Sequence, residues 1–396
     1  MTTAAAVVGA AAAGAPVREV AASVQQRLLW MIGHQRAGSG CLNYPLVLTV
    51  TGSLDSLPAA LSALTARHEA LRTTYERRKG RLVQLIHPAT PVPVVDGGDF
   101  TEAALDREIA TPVDARRAVL RVTRWRRGDD EHVLCLNTHH FSTDAVSTSI
   151  VTDELVRLLA GDTALPRVPW QFRHALEWQR RRSDDAARDY WRTQLDGAVP
   201  LPLTPGGEQG QVAFTIGAGP AQRLRALAQA RRTTLFAVLL AAYQGALAHE
   251  FGQDDVCVAA PFANRPRQEA MATVGMFANL VVLRQRRARR SLPDLVADAS
   301  DAVAAAREHQ HYAYAQLPAV PAGVGDAVFQ LLPPLPPEWH RDGRRIRVSP
   351  PRVASRFPLE LTVIASGDEL LGLVQYAPGR LDEAAARRLA DALSAV

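Results

Sequence analysis

Two adjacent histidines, His139 and His140, end the apolar run V-L-C-L-N-T, and Asp144 follows shortly after them. An unperturbed histidine titrates near neutral pH, so it can take up and return a proton there. Because neighbouring side chains on a strand point to opposite faces, one histidine should face a cavity while the other packs inward. Asp144, just past the strand end, could brace the turn. The pattern therefore suits proton transfer at the mouth of a pocket.

The histidine pair alone is also compatible with two other interpretations. One is a hydrogen-bonded pair at a strand end with no chemical role. The other is a metal site, but the sequence has neither a glutamate three or four residues away nor a second histidine-rich helix to support one. We therefore predict no metal centre.

The elements that must position these residues are predicted from periodicity and turn residues. Leu54 to Arg67 has apolar residues at helical spacing after Ser56, a candidate cap. Leu71 to Ile86 indicates two strands around the Lys79-Gly80 turn. Further strands are predicted at 119–125 and 133–138, followed by an amphipathic helix at 145–159. Beyond residue 200, strands are predicted at 212–216, 256–260, 280–283, 327–332, 359–364 and 370–376, and helices at 221–230, 235–248 and 382–393.

The domain organisation follows from length and composition. A chain of 396 residues exceeds the size at which a single core keeps growing, so two α/β lobes are expected. The Pro- and Gly-rich segment P-L-P-L-T-P-G-G at 200–207 is the best boundary. We predict a flexible N-terminal tail at 1–20, a lobe at 21–199 that carries the histidine pair, and a second lobe at 200–396.

Charge and cysteine usage exclude several classes of function. The net charge is +5, but acidic residues are interspersed among the arginine clusters, which argues against a nucleic-acid-binding face and leaves solvated faces or docking of an acidic protein. The three scattered cysteines form no disulfide framework and indicate a reducing, cytoplasmic compartment. No basic residue precedes the apolar N-terminal stretch and no long apolar run occurs, so neither a secretory signal nor a membrane span is predicted.

The spacing His-His-x-x-x-Asp resembles the core motif of the condensation domains of nonribosomal peptide synthetases, which usually have glycine where this chain has Ala145. Other motifs that resemble the family's occur in its order, over about residues 20 to 394. They are Ser23, Gln26, Leu29 and Trp30; R-H-E-A-L-R-T-T-Y at 67–75; Phe172, Trp178, Gln179, Tyr190, Trp191 and Leu195; V-G-M-F-A-N-L-V-V-L-R at 274–284; His309, Gln310 and Tyr314; and F-P-L at 357–359.

The resemblance implies a fold and a reaction. The fold would be two chloramphenicol-acetyltransferase-like lobes in a V-shaped pseudo-dimer, with the active site in the cleft. The reaction would join an acyl thioester, held on the phosphopantetheine arm of a carrier protein, to an amine. Because the thioester is already activated, the enzyme needs no nucleophile of its own and no tightly bound cofactor. Its partners would be donor and acceptor carrier proteins, or a small amine or alcohol as acceptor.

The resemblance also implies roles for individual residues. His140 is the predicted pocket-facing group, acting as base or as hydrogen-bond donor to the intermediate, and His139 should remain structural. Asp144 should pair with Arg284 behind the active site. Arg67 would support the scaffold, or would be an exposed helix-end arginine near the negative pole of the helix dipole. Asn279 belongs to the motif at 274–284 and should support the site.

Three functions remain open at this point. The first is an amide-forming condensation enzyme; the second is an ester-forming or coenzyme A-dependent acyltransferase of the same superfamily. The third is a non-catalytic relative that recruits a partner, although such relatives generally lose the paired histidines. Because no phosphate loop or carrier-protein site follows residue 394, we expect either a free-standing condensation enzyme or one excised module, and the tail that opens on Met1 favours the first. We also expect a monomer.

Overall fold

The computed structural model describes residues 16–35, 38, 40–182, 184–203, 209–313, 316–317, 320–341, 343–379 and 381–395. The helices are α1 (Val24–Gln35), α2 (Leu57–Arg67), α3 (Glu102–Ala110), α4 (Ala145–Leu159), α5 (Phe172–Gln179), α6 (Asp185–Leu195), α7 (Ala218–Ala230), α8 (Leu235–Phe251), α9 (Leu292–Glu308) and α10 (Glu383–Ser394). The strands are β1 (Arg18–Ala21), β2 (Asn43–Thr51), β3 (Thr73–Arg78), β4 (Arg81–Ile86), β5 (Val94–Asp99), β6 (Leu120–Arg126), β7 (Glu131–His139), β8 (Gly210–Ile216), β9 (Val256–Phe262), β10 (Asn279–Gln285), β11 (Ala327–Leu332), β12 (Trp339–Arg341), β13 (Arg344–Val348), β14 (Leu359–Ser366) and β15 (Glu369–Tyr376).

The chain divides into two compact α/β units, as the length of the sequence predicts. The first comprises residues 1–182, 265–277 and 336–354, and the second comprises 183–264, 278–335 and 355–396. This division differs from the predicted boundary at residue 200, because two segments from the second half of the sequence belong to the first unit. One of them contains β13, which pairs antiparallel with β2 and so completes a sheet of the first unit.

The main sheet of the first unit has the strand order β12-β13-β2-β7-β6-β5. Strand β7 lies inside this sheet, hydrogen-bonded to β2 and β6. Alternate side chains of β7 pack into two different hydrophobic cores, one on each face of the sheet. Leu134 and Leu136 pack with α2 and α4 residues, whereas Val133 and Cys135 pack with residues of α3. Because both faces are covered, the middle of β7, residues 133–136, is apolar throughout, and its position is fixed from both sides.

The sheet of the second unit has the strand order β10-β9-β11-β14-β15-β8. Strand β11 runs parallel to both β14 and β9, and the other pairings in this sheet are antiparallel. Helix α8, apolar around most of its surface, is buried along most of its length against this sheet and its neighbouring helices. The strands and helices predicted beyond residue 200 are confirmed in type and approximate position.

Two local predictions differ from the structure. The N-terminal tail was expected to be flexible through residue 20, but β1 pairs with β4, joining Arg18 to Ile86 and Val20 to Gln84; residues 1–15 lie outside the described residues. Ser56 occupies the N-cap position of α2 without capping it. Its own backbone is helical, and its hydroxyl donates instead to the Leu159 carbonyl at 3.2 Å.

Candidate active site

The histidine motif lies on a turn that connects β7 to α4. The backbone N–H of His139 donates to the Val119 carbonyl and that of His140 to the Leu42 carbonyl, both at 2.8 Å. Ser142 then closes the turn by donating to the His139 carbonyl at 2.9 Å. The predicted succession of strand, histidine pair, turn and helix is therefore present, with α4 beginning immediately after Asp144.

The ring of His140 is held by a hydrogen bond within the turn. Its Nδ1 lies 2.7 Å from the Thr143 carbonyl oxygen, and the ring stacks on Tyr44 with centroids 5.0 Å apart. A carbonyl oxygen can only accept, so Nδ1 must be the nitrogen that carries the hydrogen. In the neutral ring, Nε2 then has the lone pair that can accept a proton. His140 is 6% exposed.

His139 is in a different environment. Its Nδ1 accepts the backbone N–H of Phe141 at 3.2 Å, and the two rings lie 4.2 Å apart. Burial lowers the pKa of His139 to about 3, and the negative charge of Asp114 opposes this shift only in part. His139 is therefore neutral at physiological pH.

Asp144 connects the start of α4 to the segment at 265–277. Its carboxylate caps the helix by accepting the N–H of Ser147 at 2.8 Å, and it also accepts the N–H of Phe277 at 3.0 Å. The third donor is the guanidinium of Arg265, at 2.9 Å. The side chains of Asp144 and Arg265 are 2% and 1% exposed, so this is a buried ion pair. Ser147 extends the connection, because its hydroxyl donates to the Gly275 carbonyl and accepts the Gly275 N–H.

The predicted pairing of Asp144 with Arg284 is wrong. Arg284 forms an ion pair with Asp255, its Nε lying 2.8 Å from Oδ1, and its remaining donors reach the carbonyls of residues 194, 196 and 197. The register of the sheet explains this difference, because Arg284 lies opposite Cys257 on β9, close to Asp255. Arg284 is thus a buried support within the second unit.

Arg265 is the partner of Asp144 that the sequence analysis did not identify. It follows β9, and its guanidinium is also held by the carbonyls of Ala270 and Thr273 and lies 4.1 Å from the ring centroid of Phe277. A buried carboxylate at a helix start requires donors or a cation. That requirement could have predicted a cationic partner among the arginines near the motif at 274–284, including one N-terminal to it.

Arg67 ends α2 and joins that helix to α4. It donates to the two carboxylate oxygens of Glu154 at 3.0 and 2.9 Å, and the fully buried His68 contacts the same carboxylate at 2.7 Å. Burial opposes ionisation of Glu154, but the hydrogen bonds of His68 and Arg67 outweigh it and hold the pKa of the carboxyl at about 2. Arg67 therefore belongs to an ion-pair network and is not an exposed helix-end group.

Asn279 holds the segment that follows α9. Its side-chain amide donates to the carbonyls of Gln310 and Tyr312 at 2.6 and 2.9 Å. The structure thus brings His139, His140 and Asp144 together on one turn, whereas Arg284 and Asn279 lie in the second unit. Tyr314, part of the motif around His309, lies outside the described residues.

Among the described residues, the histidine, cysteine, aspartate and glutamate side chains include no cluster of three or more that could hold a metal ion. Nor does any helix among these residues combine the length and the apolar character required to cross a membrane.

Comparison with known proteins supports the resemblance noted in the sequence. A family model described as "Condensation domain" matches residues 18–394. Nonribosomal peptide synthetase kk1B of Curvularia clavata is 31% identical over 91% of this chain and 3% of its own length. Tyrocidine synthase 3 of Brevibacillus parabrevis is 31% identical over 74% of this chain and 5% of its own length. The chain therefore spans only a small part of these relatives.

The fold is also that of solved condensation domains. The condensation domain of the monacolin K polyketide synthase MokA superposes with a TM-score of 0.83 at 22% identity, over 96% of this chain and 98% of that one. The superposition covers both α/β units. It agrees with the chloramphenicol-acetyltransferase-like fold that the family resemblance implies. Together with the match of the family model, these findings show that the chain belongs to the condensation domain family.

Proposed function

We propose that this protein forms an amide bond between an acyl group, delivered as a thioester on the phosphopantetheine arm of a carrier protein, and an amine acceptor. Support comes from membership of the condensation domain family and from relatives that are named as nonribosomal peptide synthetases. Carrier proteins would be its partners, and the phosphopantetheine arm would belong to the substrate.

The reaction needs a proton acceptor but no protein nucleophile. The amine nitrogen attacks the thioester carbonyl, the new C–N bond forms, and the C–S bond breaks as the thiol departs. The nitrogen must lose one proton, which His140 Nε2 can accept and then return to the departing sulfur. Holding both substrates in attack geometry supplies much of the remaining rate enhancement.

The hydrogen bond from His140 Nδ1 to the Thr143 carbonyl is the observation that carries this proposal. It selects the tautomer whose Nε2 can act as a base. Asp144 and Arg265 contribute by fixing the end of the same turn, since their buried ion pair joins the first residue after the turn to the segment at 265–277. Neither is proposed to touch the reacting atoms.

The test is incubation of the protein with a panel of loaded carrier proteins and paired acceptors that differ only in NH2 versus OH. Intact-protein mass spectrometry follows loss of the acyl group from the carrier, and product mass identifies the bond formed. We expect amide products that depend on His140. Preference for the alcohol would establish the ester-forming alternative, activity with free acyl-coenzyme A would remove the need for a donor carrier protein, and no turnover across the panel would favour the non-catalytic relative.

A further inference from the structure

Phe141, the residue after His140, has both of its backbone polar groups bonded to side chains. Its N–H donates to His139 Nδ1 at 3.2 Å. Its carbonyl accepts two hydrogen bonds, one from the Gln26 side-chain amide at 2.7 Å and one from the Tyr75 hydroxyl at 2.9 Å. The orientation of this peptide therefore depends on side chains from distant parts of the sequence.

The two donors are also bonded to each other. Gln26 Nε2 donates to the Tyr75 hydroxyl at 3.0 Å, and the shortest hydrogen bond of each group goes to the Phe141 carbonyl. The side-chain oxygen of Gln84 is a more distant acceptor, 3.4 Å from each of them. Gln26 is 0% and Tyr75 is 1% exposed, so both donors lie out of reach of bulk solvent. A buried carbonyl left without any donor costs about 1–3 kcal/mol, so this arrangement strongly favours one orientation of the peptide.

Packing fixes the same residue further. The ring of Phe141 lies 4.9 Å from that of Tyr75 and 6.2 Å from that of Trp30, measured between centroids. Trp30 and Gln26 lie on α1, and Tyr75 lies on β3. These two elements therefore hold the turn at Phe141, whereas Asp144 holds its other end at α4.

We infer that Gln26 and Tyr75 are positioning residues for His140. By fixing the Phe141 peptide, they hold the turn in the shape that places His140 Nδ1 against the Thr143 carbonyl, and so they select the tautomer with a basic Nε2. The catalytic consequence rests on the proposed function, but the effect on the His140 ring does not.

The shared acceptor predicts a characteristic non-additivity. A carbonyl oxygen has two lone pairs, and either donor alone still satisfies it in part. Removing one donor should make the turn more mobile. Removing both should leave the Phe141 carbonyl without a hydrogen bond, so that the turn is no longer held at this residue. The effect of the double variant on the order of the turn should therefore exceed the sum of the effects of the two single variants.

Variants Tyr75→Phe and Gln26→Met remove one donor each while nearly preserving volume. Ser23→Ala is the control for α1, because the Ser23 hydroxyl accepts the Gln26 backbone N–H at 3.0 Å and, among the described residues, has no hydrogen bond to Phe141. Tyr243→Phe is the control for losing a buried hydroxyl, since the Tyr243 hydroxyl has no hydrogen-bond partner among the described residues.

The measurement is NMR of the protein with isotope-labelled histidine, with the His140 signals assigned from His140→Gln. We expect the Hδ1 proton of His140 to exchange with solvent several-fold faster in Tyr75→Phe and in Gln26→Met than in either control. In the double variant, the nitrogen shifts should also show loss of the pure Nδ1–H tautomer. Unchanged exchange in both single variants would overturn the inference, and this comparison decides it even if the double variant does not fold.

Kinetics separate this inference from the proposed function. With a working acyl donor and amine, the double variant should lose about tenfold or more in kcat while KM changes little, because the turn contributes to proton transfer rather than to binding. If the wild type forms no amide with any partner, the proposed function fails while the NMR result still stands. If amide forms but the His140 signals are unchanged in every variant, the positioning role fails alone.

Discussion

The two adjacent histidines differ in what their Nδ1 atoms do. In His140 this atom donates to the Thr143 carbonyl, which leaves Nε2 as the basic nitrogen. In His139 it accepts from the Phe141 N–H, and burial holds that ring in its neutral form. One ring can therefore exchange protons while its neighbour acts as a fixed acceptor within the turn.

The neutral state of His139 has a measurable consequence for stability. Its folded pKa of about 3 lies below the ordinary value of 6.5, so the unfolded chain binds the proton more readily. The contribution of neutral His139 to the free energy of unfolding is complete above pH 6.5 and is lost as the pH falls towards 3. Urea unfolding at pH 7.5 and 5.0 should show that His139→Asn removes about 2 kcal/mol of this pH dependence. Identical pH dependence in both proteins would contradict the assignment.

The ion pair of Asp144 with Arg265 predicts a specific energetic coupling. Asp144→Ala and Arg265→Ala should each destabilise the protein by about 3–5 kcal/mol, because each leaves a buried charge without its partner. A double-mutant cycle between them should show strong coupling. The matched control is the cycle between Asp144 and Arg284, whose coupling should be near zero because Arg284 is bound to Asp255. Coupling of similar size in both cycles would contradict the pairing of Asp144 with Arg265.

The residue types at the site could be predicted from the sequence more easily than their partners. The spacing of His139, His140 and Asp144 is local, so the turn followed directly from it. The partner of Asp144 is set by the path of the segment at 265–277 and by the register of β9 against β10. Neither property has a local signal in the sequence, which is why the predicted pairing with Arg284 is wrong.

At the scale of elements, α4 is the best example of a predictable helix. Its bounds, Ala145–Leu159, coincide with the prediction because an acidic cap and an apolar periodicity are both local features. Strand β1 is the opposite case. It has only four residues, of which two are exposed, and its pairing with β4 depends on a distant hairpin.

Glu154 links α2 to α4, and the link should depend on pH. Its folded pKa of about 2 lies below the ordinary value of 4.5, so its contribution is complete above pH 4.5 and disappears as the pH falls towards 2. Glu154→Gln should lower the free energy of unfolding, measured with denaturant, by about 3 kcal/mol at pH 6 and by clearly less at pH 3. A cost that is equal at both pH values would mean that the network stabilises the fold without charge.

At the scale of the whole molecule, length predicted two α/β units, but composition could not locate their segments. The Pro- and Gly-rich stretch at 200–207 is a real break in composition, yet the second unit begins before it. Strand β13 shows why. Its assignment to the first unit depends on antiparallel pairing with β2, across most of the sequence.

The assignment of β13 to the first unit can be tested with Ile346, which is buried on β13 opposite Val50. Ile346→Asp should reduce hydrogen-exchange protection in β2 while β14 and β15 of the second unit keep theirs. Arg347→Asp, a charge change at an exposed position of the same strand, should leave both regions unchanged. Loss of protection in β14 rather than β2 would show that this segment belongs to the second unit.

The most direct test of the central claim is the pH dependence of single-turnover amide formation in wild type and His140→Ala, with one loaded carrier protein and one amine. The wild-type rate should fall through one ionisation as the pH is lowered, because His140 must be unprotonated to accept the proton. In His140→Ala that ionisation should disappear and the rate should fall by about two orders of magnitude or more. A His140→Ala variant that keeps the wild-type rate and pH profile would contradict the account.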